Sequence, residues 1–245
     1  MRTQIAITDL TRMQGGRVCV AGYDRNGKCY RPILPPPGIS ESSLFDNNNK
    51  PIIYPFAVVE YGFLFPNPQP PHTEDFGYDT NSVKYIADVK NRNSLLNMSL
   101  YKNVEEIFEQ PIHDDWGFYV MDKCGSRSIG TIIPKKIVKI NYEKDEESKW
   151  DYRLFFYDRN VRFFRLKITD LTWHYFCDSL REENKEPIQI AQQLTQLLQK
   201  RTVYLRIGLA RGWNEYPDRC YLQVNAIHTF PDYLEGKTFA DFKPS

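Results

Sequence analysis

The chain has 245 residues, and its 32 Lys and Arg nearly balance 31 Asp and Glu, which leaves a formal net charge of +1. This balance excludes a protein that gathers DNA or anionic lipid through a charge coat over its whole surface, but it does not exclude a local basic patch. Apolar residues make up 41% and charged residues 26%, which is typical of a globular chain long enough for one large domain or two ordinary ones.

The pattern of apolar and cysteine residues predicts a cytoplasmic protein with no membrane partner. The first residues contain no apolar segment of the signal-peptide type. The most apolar stretch, 51–65, is interrupted and too short to span a bilayer. The five cysteines form an odd set without a CxxC pair, which favours reduced thiols over a disulfide framework.

Strands dominate the predicted elements of the first half, since Tyr and Phe favour strands and Pro separates them. A charged stretch at 143–149 contains no apolar residue and is interpreted as a domain boundary, with a solvated hairpin loop as the alternative. A short helix is predicted at 103–110, where Asn103 can cap it. The predicted strands are 4–9, 17–23, 28–34, 52–65, 116–121, 128–133 and 137–142, with a proline-rich loop at 66–71.

The second half predicts two helices inserted between strands. The helices are expected at 172–183 and 187–199, and Pro187 suits a first helical position. The predicted strands are 150–157, 161–168, 201–209 and 219–227. The two predicted domains are therefore 1–142 and 150–245, and the second carries the inserted helices within 172–199.

An internal repeat supports two similar halves. The segment Ile7-Thr8-Asp9-Leu10-Thr11 recurs as Ile168-Thr169-Asp170-Leu171-Thr172. Each copy precedes an Arg-led strand and a strand with a basic-Cys-Tyr run, so duplication of a small β-unit is the preferred interpretation and coincidence the alternative. In each copy Asp and Thr can bond nearby backbone N–H groups and fix a turn or start a helix.

These features predict a mainly β (β-rich α+β) fold of two small closed barrels with short inserted helices. The OB-fold, a five-stranded Greek-key barrel, is the leading candidate, and PUA-like or SH3-like barrels are the alternative.

The chain resembles the prokaryotic dual OB-containing domain family. The resemblance is carried by the run from Arg201 to Arg211, by the run from Cys220 to Leu234, and by Tyr30-Arg31-Pro32 with the first Ile-Thr-Asp-Leu-Thr. It covers most of the chain and implies two OB-folds. It also implies nucleic-acid binding, in a prokaryotic defence or nucleic-acid-processing context, and it carries over no catalytic residue.

No catalytic signature is present, since P-loop, GxGxxG, HExxH, GxSxG and paired-cysteine zinc patterns are all missing. His174 and Cys177 share a helix face and could ligate zinc, but packing of a buried cysteine is the preferred interpretation. Cys29, Cys177 or Cys220 with His228 could form a nucleophile–base pair, against which core packing is again preferred. We therefore predict no metal, no cofactor and no catalytic residue.

The stronger signal is the interleaving of cations and aromatic rings in the second half, because single-strand binders use cations for phosphates and rings for bases. Arg165 and Lys167 alternate with apolar neighbours, so one face of that strand is basic. Trp213 lies in the loop before the last strand, which lines the binding face in OB-folds. The predicted nucleic-acid-binding residues are Arg31, Arg165, Lys167, Arg206, Arg211, Trp213, Arg219 and His228.

The sequence thus predicts a non-catalytic protein that binds single-stranded or structured RNA or DNA. The first alternative is a protein–protein adaptor whose barrels serve as docking platforms for a protein partner. The second is an enzyme whose site is dispersed along the chain and forms no motif.

Overall fold

The computed structural model describes residues 1–144, 150–182, 185–213 and 215–243, and β-strands are their most common element. The predicted mainly β class is confirmed. The helices are α1 (Arg92–Asn97), α2 (Val104–Phe108), α3 (Leu171–Glu182) and α4 (Pro187–Gln199), with short 3₁₀ helices at Glu41–Leu44 and Phe239–Phe242. Within the described ranges, no helix is long and apolar enough to cross a membrane.

The first sheet closes into a five-stranded barrel. The sheet has six strands, which are β1 (Arg2–Met13), β2 (Arg17–Tyr23), β3 (Cys29–Ile33), β4 (Ile39–Ser40), β5 (Ala57–Pro66) and β6 (Asp75–Asp88). The short β4 pairs with β2 outside the closed ring. The ring runs β1-β2-β3-β6-β5 and returns to β1, because the long β1 pairs with β5 through Arg2–Ala6 and with β2 through Ala6–Met13. Only the β3–β6 pair in this ring is parallel. This connectivity is that of an OB-type barrel.

The second sheet is a curled half-barrel with the same order at its centre. Its strands are β7 (Leu100–Tyr101), β8 (His113–Asp114), β9 (Phe118–Met121), β10 (Ile129–Ile132), β11 (Lys136–Lys144), β12 (Trp150–Tyr157), β13 (Phe163–Ile168), β14 (Thr202–Leu209) and β15 (Arg219–Phe230). The order is β11-β12-β13-β15-β14-β10-β7, and its parallel pairs are β13–β15 and β10–β7. Strands β10 and β11 together take the place of β1, because β10 pairs with β14 and β11 with β12.

Helix α4 covers the seam between β11 and β14, two strands that do not pair with each other over the described residues. The Thr195 hydroxyl accepts a hydrogen bond from the Ile140 N–H at 2.9 Å. The Gln199 amide donates to the carbonyls of Ile137 and Val138 at 3.1 and 3.2 Å. On its other side the helix buries Ile190, Leu194 and Leu198 at helical spacing in the core of the second sheet.

The boundary between the two sheets lies between Asp88 and Leu100, which corrects the predicted position at 143–149. Strands β11 and β12 flank that charged stretch and form an antiparallel hairpin, with Lys144 opposite Trp150. Residues 145–149 themselves lie outside the described residues. Residues 100–142 therefore supply strands to the second sheet, and the solvated-hairpin alternative agrees with this pairing.

The two Ile-Thr-Asp-Leu-Thr segments do not occupy equivalent strands. Residues 7–11 lie inside β1, whereas residues 168–172 end β13 and begin α3. The duplication interpretation is therefore wrong for this motif. The two segments instead contact each other, since Thr11 and Asp170 form an isolated antiparallel bridge and the neighbouring Arg12 N–H donates to the Thr169 carbonyl at 2.7 Å.

The predicted local role of the repeat's aspartate is confirmed at Asp170 and not at Asp9. One oxygen of Asp170 accepts from the N–H groups of Thr172 and Trp173 at 2.9 and 3.3 Å, which is how a carboxylate caps a helix start. Asp9 sits within a continuous strand and forms a long-range ion pair, described below.

Each barrel has its own apolar core, and α3 links the two cores. Trp173 and Cys177 of this helix belong to the core of the second sheet, while Leu171 and Tyr175 pack into the core of the first. Because residues on opposite faces of one helix enter both cores, the two barrels are packed against each other through α3.

Candidate nucleic-acid interface

The β12–β13 hairpin carries a mixed basic and aromatic face on its outer side. Residues of one parity, among them Leu154, Phe156, Phe164 and Leu166, are buried in the core. Because side chains alternate across a strand, their neighbours point outward. We call these the outer face, which comprises Arg153, Phe155, Tyr157, Phe163, Arg165 and Lys167 with Lys139 from β11.

Cross-strand pairing places cations beside rings on the outer face. Arg165 lies opposite Phe155, Phe163 lies opposite Tyr157, and Lys167 lies opposite Arg153. The Phe163 ring centroid is 5.2 Å from that of Tyr157 and 6.1 Å from that of Phe155. The Phe163 side chain is 42% exposed, so much of this apolar ring stays in contact with water instead of the core. An exposed ring flanked by cations is the arrangement that base stacking and phosphate contact require.

The cations of the outer face differ in how they are held. Lys139 Nζ lies 4.7 Å from the Phe155 ring centroid. Arg153 and Lys167 both pair with Asp151 at 3.1 Å. Within the described part of the chain, Arg165 has no ion-pair partner and is exposed. The face therefore carries a surplus of positive charge that a phosphate backbone can neutralise.

A second cluster extends the outer face along β15 and β9. Gln223 of β15 lies opposite Lys167, and Tyr221 further along β15 lies opposite Tyr119 of β9. The Arg219 guanidinium lies 4.6 Å from the ring centroids of both Tyr119 and Tyr216, which is cation–π distance. We call Tyr119, Tyr216, Arg219 and Tyr221 the arginine–tyrosine cluster.

Two exposed tryptophans flank the arginine–tyrosine cluster. Trp213 is 51% exposed, lies in the loop between β14 and β15, and its ring centroid is 5.7 Å from that of Tyr216. Trp116 is 85% exposed and lies in the β8–β9 turn, next to Asp115, which pairs with Arg219 at 3.1 Å. Large rings left in solvent at the rim of a basic face are further sites at which bases can stack.

A family model now accounts for the two barrels. The model of the dual OB-containing domain matches residues 4–227. The chain belongs to this family. None of the curated proteins matches it. In OB-folds generally, oligonucleotides bind on the face of the second and third barrel strands and beside the loop between the fourth and fifth. In the second barrel these are β12, β13 and the loop that holds Trp213.

Three of the predicted cations lie on this surface. Arg165 and Lys167 are exposed on the outer face, and Arg219 belongs to the arginine–tyrosine cluster. With Trp213 at the rim, half of the residues that the sequence singled out converge on one side of the second barrel. For Arg165 and Lys167, the sequence signal was the alternation of cations with apolar residues in β13.

Arg31 and Arg211 lie instead between the two barrels of the dual OB-containing domain. Both pair with the fully buried carboxylate of Asp75, with Arg31 Nε at 2.5 Å from one oxygen and Arg211 on the other. Arg31 is itself 8% exposed and also donates to the Ser128 hydroxyl at 3.3 Å. Arg31 is therefore unavailable to a nucleic acid, while Arg211 remains half exposed at the edge of the contact.

Arg206 and His228 are structural residues of the barrel–barrel contact, which corrects their prediction as binding residues. Arg206 is fully buried and forms a two-atom contact with Asp9, at 3.0 Å from Nε and 2.9 Å from Nη2. Its Nη1 reaches the Tyr23, Ser99 and Thr131 hydroxyls at 2.8 to 3.0 Å. His228 bonds the Thr8 carbonyl at 2.9 Å, and burial lowers its pKa to about 4.

The structure also places the candidate thiols and zinc ligands. Burial raises the pKa of the Cys29, Cys177 and Cys220 thiols, the last to about 12, so at neutral pH they hold the protonated, weakly nucleophilic form. In the described ranges, no three His, Cys, Asp or Glu side chains come close enough together to hold a metal ion. His174 instead bonds the Ile168 carbonyl through Nε2 at 3.0 Å.

Sequence reasoning missed several residues of the surface. Tyr119 of β9 and Trp116 of the turn before it lie far from the β12–β13 hairpin in the chain, and only the pairing of β9 with β15 brings them to this surface. Lys139 lies in β11, the strand directly before the hairpin, and reaches the surface through the pairing of β11 with β12. The odd-numbered positions of β11 could have indicated that Lys139 faces outward, but no local pattern in the sequence indicates that β9 pairs with β15.

Proposed function

We propose that the second barrel binds single-stranded nucleic acid across its outer face and the arginine–tyrosine cluster. The observation that supports this most directly is the cross-strand pairing of Arg165 with Phe155 and of Phe163 with Tyr157 in solvent. Phosphates would contact Arg165, Lys167 and Lys139, while bases would stack on Phe163 and the neighbouring rings. A role in a prokaryotic defence or nucleic-acid-processing system, which the family resemblance implies, forms part of the same proposal.

The charge distribution supports a single strand over a duplex. The chain has a net charge of +1 and therefore no extended field with which to hold two phosphate backbones. Exposed rings contribute binding energy only where bases are unpaired and can lie flat on them. The proposal covers single-stranded RNA and DNA alike, because stacking and phosphate contact do not distinguish the two sugars.

Fluorescence anisotropy with labelled single-stranded RNA and DNA at low salt tests the proposal. Phe163→Ala is expected to weaken binding by about 5- to 150-fold, since one stacked base contributes roughly 1–3 kcal/mol. Arg165→Ala is expected to weaken it and to reduce the slope of log affinity against log salt by about 0.7 for each phosphate that the variant no longer neutralises.

The matched control is Arg25→Ala, an exposed arginine in the β2–β3 turn of the first barrel, which should leave affinity unchanged. If the parent chain retains no oligonucleotide at low salt, the proposal is wrong and the protein-docking alternative is favoured. Equal losses in Arg25→Ala and Arg165→Ala would show that only net charge matters, which contradicts a defined face.

A further inference from the structure

A second basic surface lies between the two barrels. A groove of about 1310 Å³ separates the β1–β2 turn of the first barrel from the edge of the second barrel beside α3. Its described lining includes the cations Arg12, Lys144, Lys167 and Arg181 and the carboxylates Glu41 and Asp178, a net charge of +2. His174 adds no charge at neutral pH, because burial lowers its pKa to about 3.

The groove carboxylates are already engaged by the protein. Glu41 accepts a hydrogen bond from the Tyr175 hydroxyl. Asp178 accepts from the Tyr152 hydroxyl at 2.8 Å and pairs with Arg181 at 2.9 Å. These contacts hold the negative groups against the wall. Across the residues that the structure describes, Arg12 and Lys144 have no carboxylate partner, so they are the cations left to meet an anion in the open part of the groove.

Trp150 holds two of the cations in place. The Arg181 guanidinium lies 4.9 Å and Lys144 Nζ 5.5 Å from its ring centroid, both within cation–π distance. The ring itself stacks on Tyr142 with centroids 4.5 Å apart. Cations that are oriented by a fixed ring lose less side-chain entropy when an anion binds.

The opposite wall is a turn with an open backbone. Gly15 and Gly16 both have positive φ, at 70° and 65°, and no heavy atom lies within 4 Å of where a Cβ of Gly16 would stand. Arg12 projects beside this turn and bonds His174 Nδ1 at 3.3 Å, and it has no carboxylate partner among the described residues. A ligand can therefore approach the turn closely and meet Arg12.

The groove is continuous with the outer face, because Lys167 belongs to both. We propose that the nucleic-acid strand held on the outer face continues past Lys167 into this groove, where Arg12, Lys144 and Arg181 contact its phosphate backbone. The first barrel then forms one wall of the binding site, through Arg12 and the β1–β2 turn. This inference rests on the proposed function.

Oligonucleotide length separates the two surfaces. One OB-fold covers about 4–16 nucleotides, so a thymidine oligonucleotide of about 5 can occupy the outer face alone, and one of about 20 also reaches the groove. Arg12→Ala and Lys144→Ala are each expected to weaken binding of the longer probe by about 5- to 10-fold and to lower its salt slope by about 0.7. Both variants should leave the shorter probe unaffected.

Arg2→Ala is the matched control, since Arg2 lies on the same strand as Arg12 at the far end and is exposed. If Arg12→Ala and Lys144→Ala bind the longer probe as tightly as the parent chain, the groove is not part of the site, although the outer face stands if Arg165→Ala still weakens both probes. Equal weakening of both probes by Arg12→Ala would also overturn the inference. If the parent chain binds neither probe, the proposed function itself is wrong.

Discussion

At the scale of single residues, one arginine joins the two barrels. Arg206 is fully buried in β14, and its partner Asp9 lies in β1 of the other barrel. A buried ion pair recovers its desolvation cost only where the other donors also find partners, and here the Tyr23, Ser99 and Thr131 hydroxyls surround Nη1 of Arg206. The arginine predicted to contact nucleic acid is therefore a determinant of how the barrels are packed.

Arg206→Met is expected to destabilise the protein by about 3–5 kcal/mol, because it leaves the Asp9 carboxylate buried without a partner. Urea unfolding followed by tryptophan fluorescence measures this loss. The double variant Asp9→Leu with Arg206→Met should lose less than the two single variants together, since neither charge remains unpaired.

The control is Arg2→Ala, whose exposed pair with Glu60 at 3.5 Å should contribute about 0–1 kcal/mol. A loss in Arg206→Met no larger than in Arg2→Ala would mean that the buried pair does not hold the barrels together.

At the scale of elements, the strands with strong local signals were predictable. β2, β12 and α4 occur with the predicted bounds, and Asn103 caps α2 by accepting from the Glu106 N–H at 3.0 Å. These elements have clear turns or caps at their ends and one apolar parity, so nearest-neighbour chemistry decides them.

Strand β6 was not predicted, although it is the longest in the first barrel. Its sequence Asp-Phe-Gly-Tyr-Asp-Thr-Asn-Ser contains residues that favour turns. It forms because β5 supplies a long partner, and the register between them shifts at three places to absorb the irregular segment. Such tertiary compensation leaves no local pattern to recognise.

The seam of the second barrel gives a prediction about α4. Thr195→Val removes the hydroxyl that accepts from the Ile140 N–H while it keeps the shape of the side chain. The unsatisfied N–H should cost about 1–3 kcal/mol in the free energy of unfolding, measured by chemical denaturation.

Gln193→Ala, at an exposed position of the same helix, is the matched control and should change stability by less than about 0.5 kcal/mol. If both variants unfold at the same denaturant concentration as the parent, α4 does not seal the seam.

At the scale of the whole molecule, buried titratable groups make stability depend on pH. Burial lowers the pKa of His72 to about 2, of His174 to about 3 and of His228 to about 4. Burial raises the pKa of Asp170 to about 7, against three backbone N–H groups that lower it. These groups lie between the barrels or in α3, so protonation acts on the barrel–barrel contact.

Acidification is expected to destabilise the protein from pH 6.5 downward. In the unfolded chain each histidine binds a proton near pH 6.5. In the folded chain the buried histidine stays neutral until the pH reaches its lowered pKa, so stability is lost as the pH falls between these two values. Asp170 has the opposite sign, since its contribution is present at low pH and lost as the pH rises from about 4 to 7. On acidification three histidines reduce the free energy of unfolding and one aspartate raises it, so the net change is a loss of stability.

His228→Gln tests this pH dependence, because the glutamine amide can still donate to the Thr8 carbonyl. Between pH 6 and pH 5 its unfolding free energy should fall less steeply than that of the parent, by about 1.4 kcal/mol per pH unit for one proton. His113→Gln, at an exposed position, is the matched control. The same slope in His228→Gln as in the parent would contradict the assignment.

The sequence by itself determined the fold class, most strands and the basic, aromatic character of the β12–β13 hairpin, because alternation and turn chemistry act between near neighbours. Tertiary structure alone decided where the sheets divide and which arginines are buried. A cation's environment depends on what packs over it, and Asp9 meets Arg206 across a separation of 197 residues. Arg165 and Arg206 both lie in strands of the second barrel. Arg165 stays exposed, whereas the first barrel packs over Arg206, and packing between residues so far apart in the chain leaves no trace in local sequence.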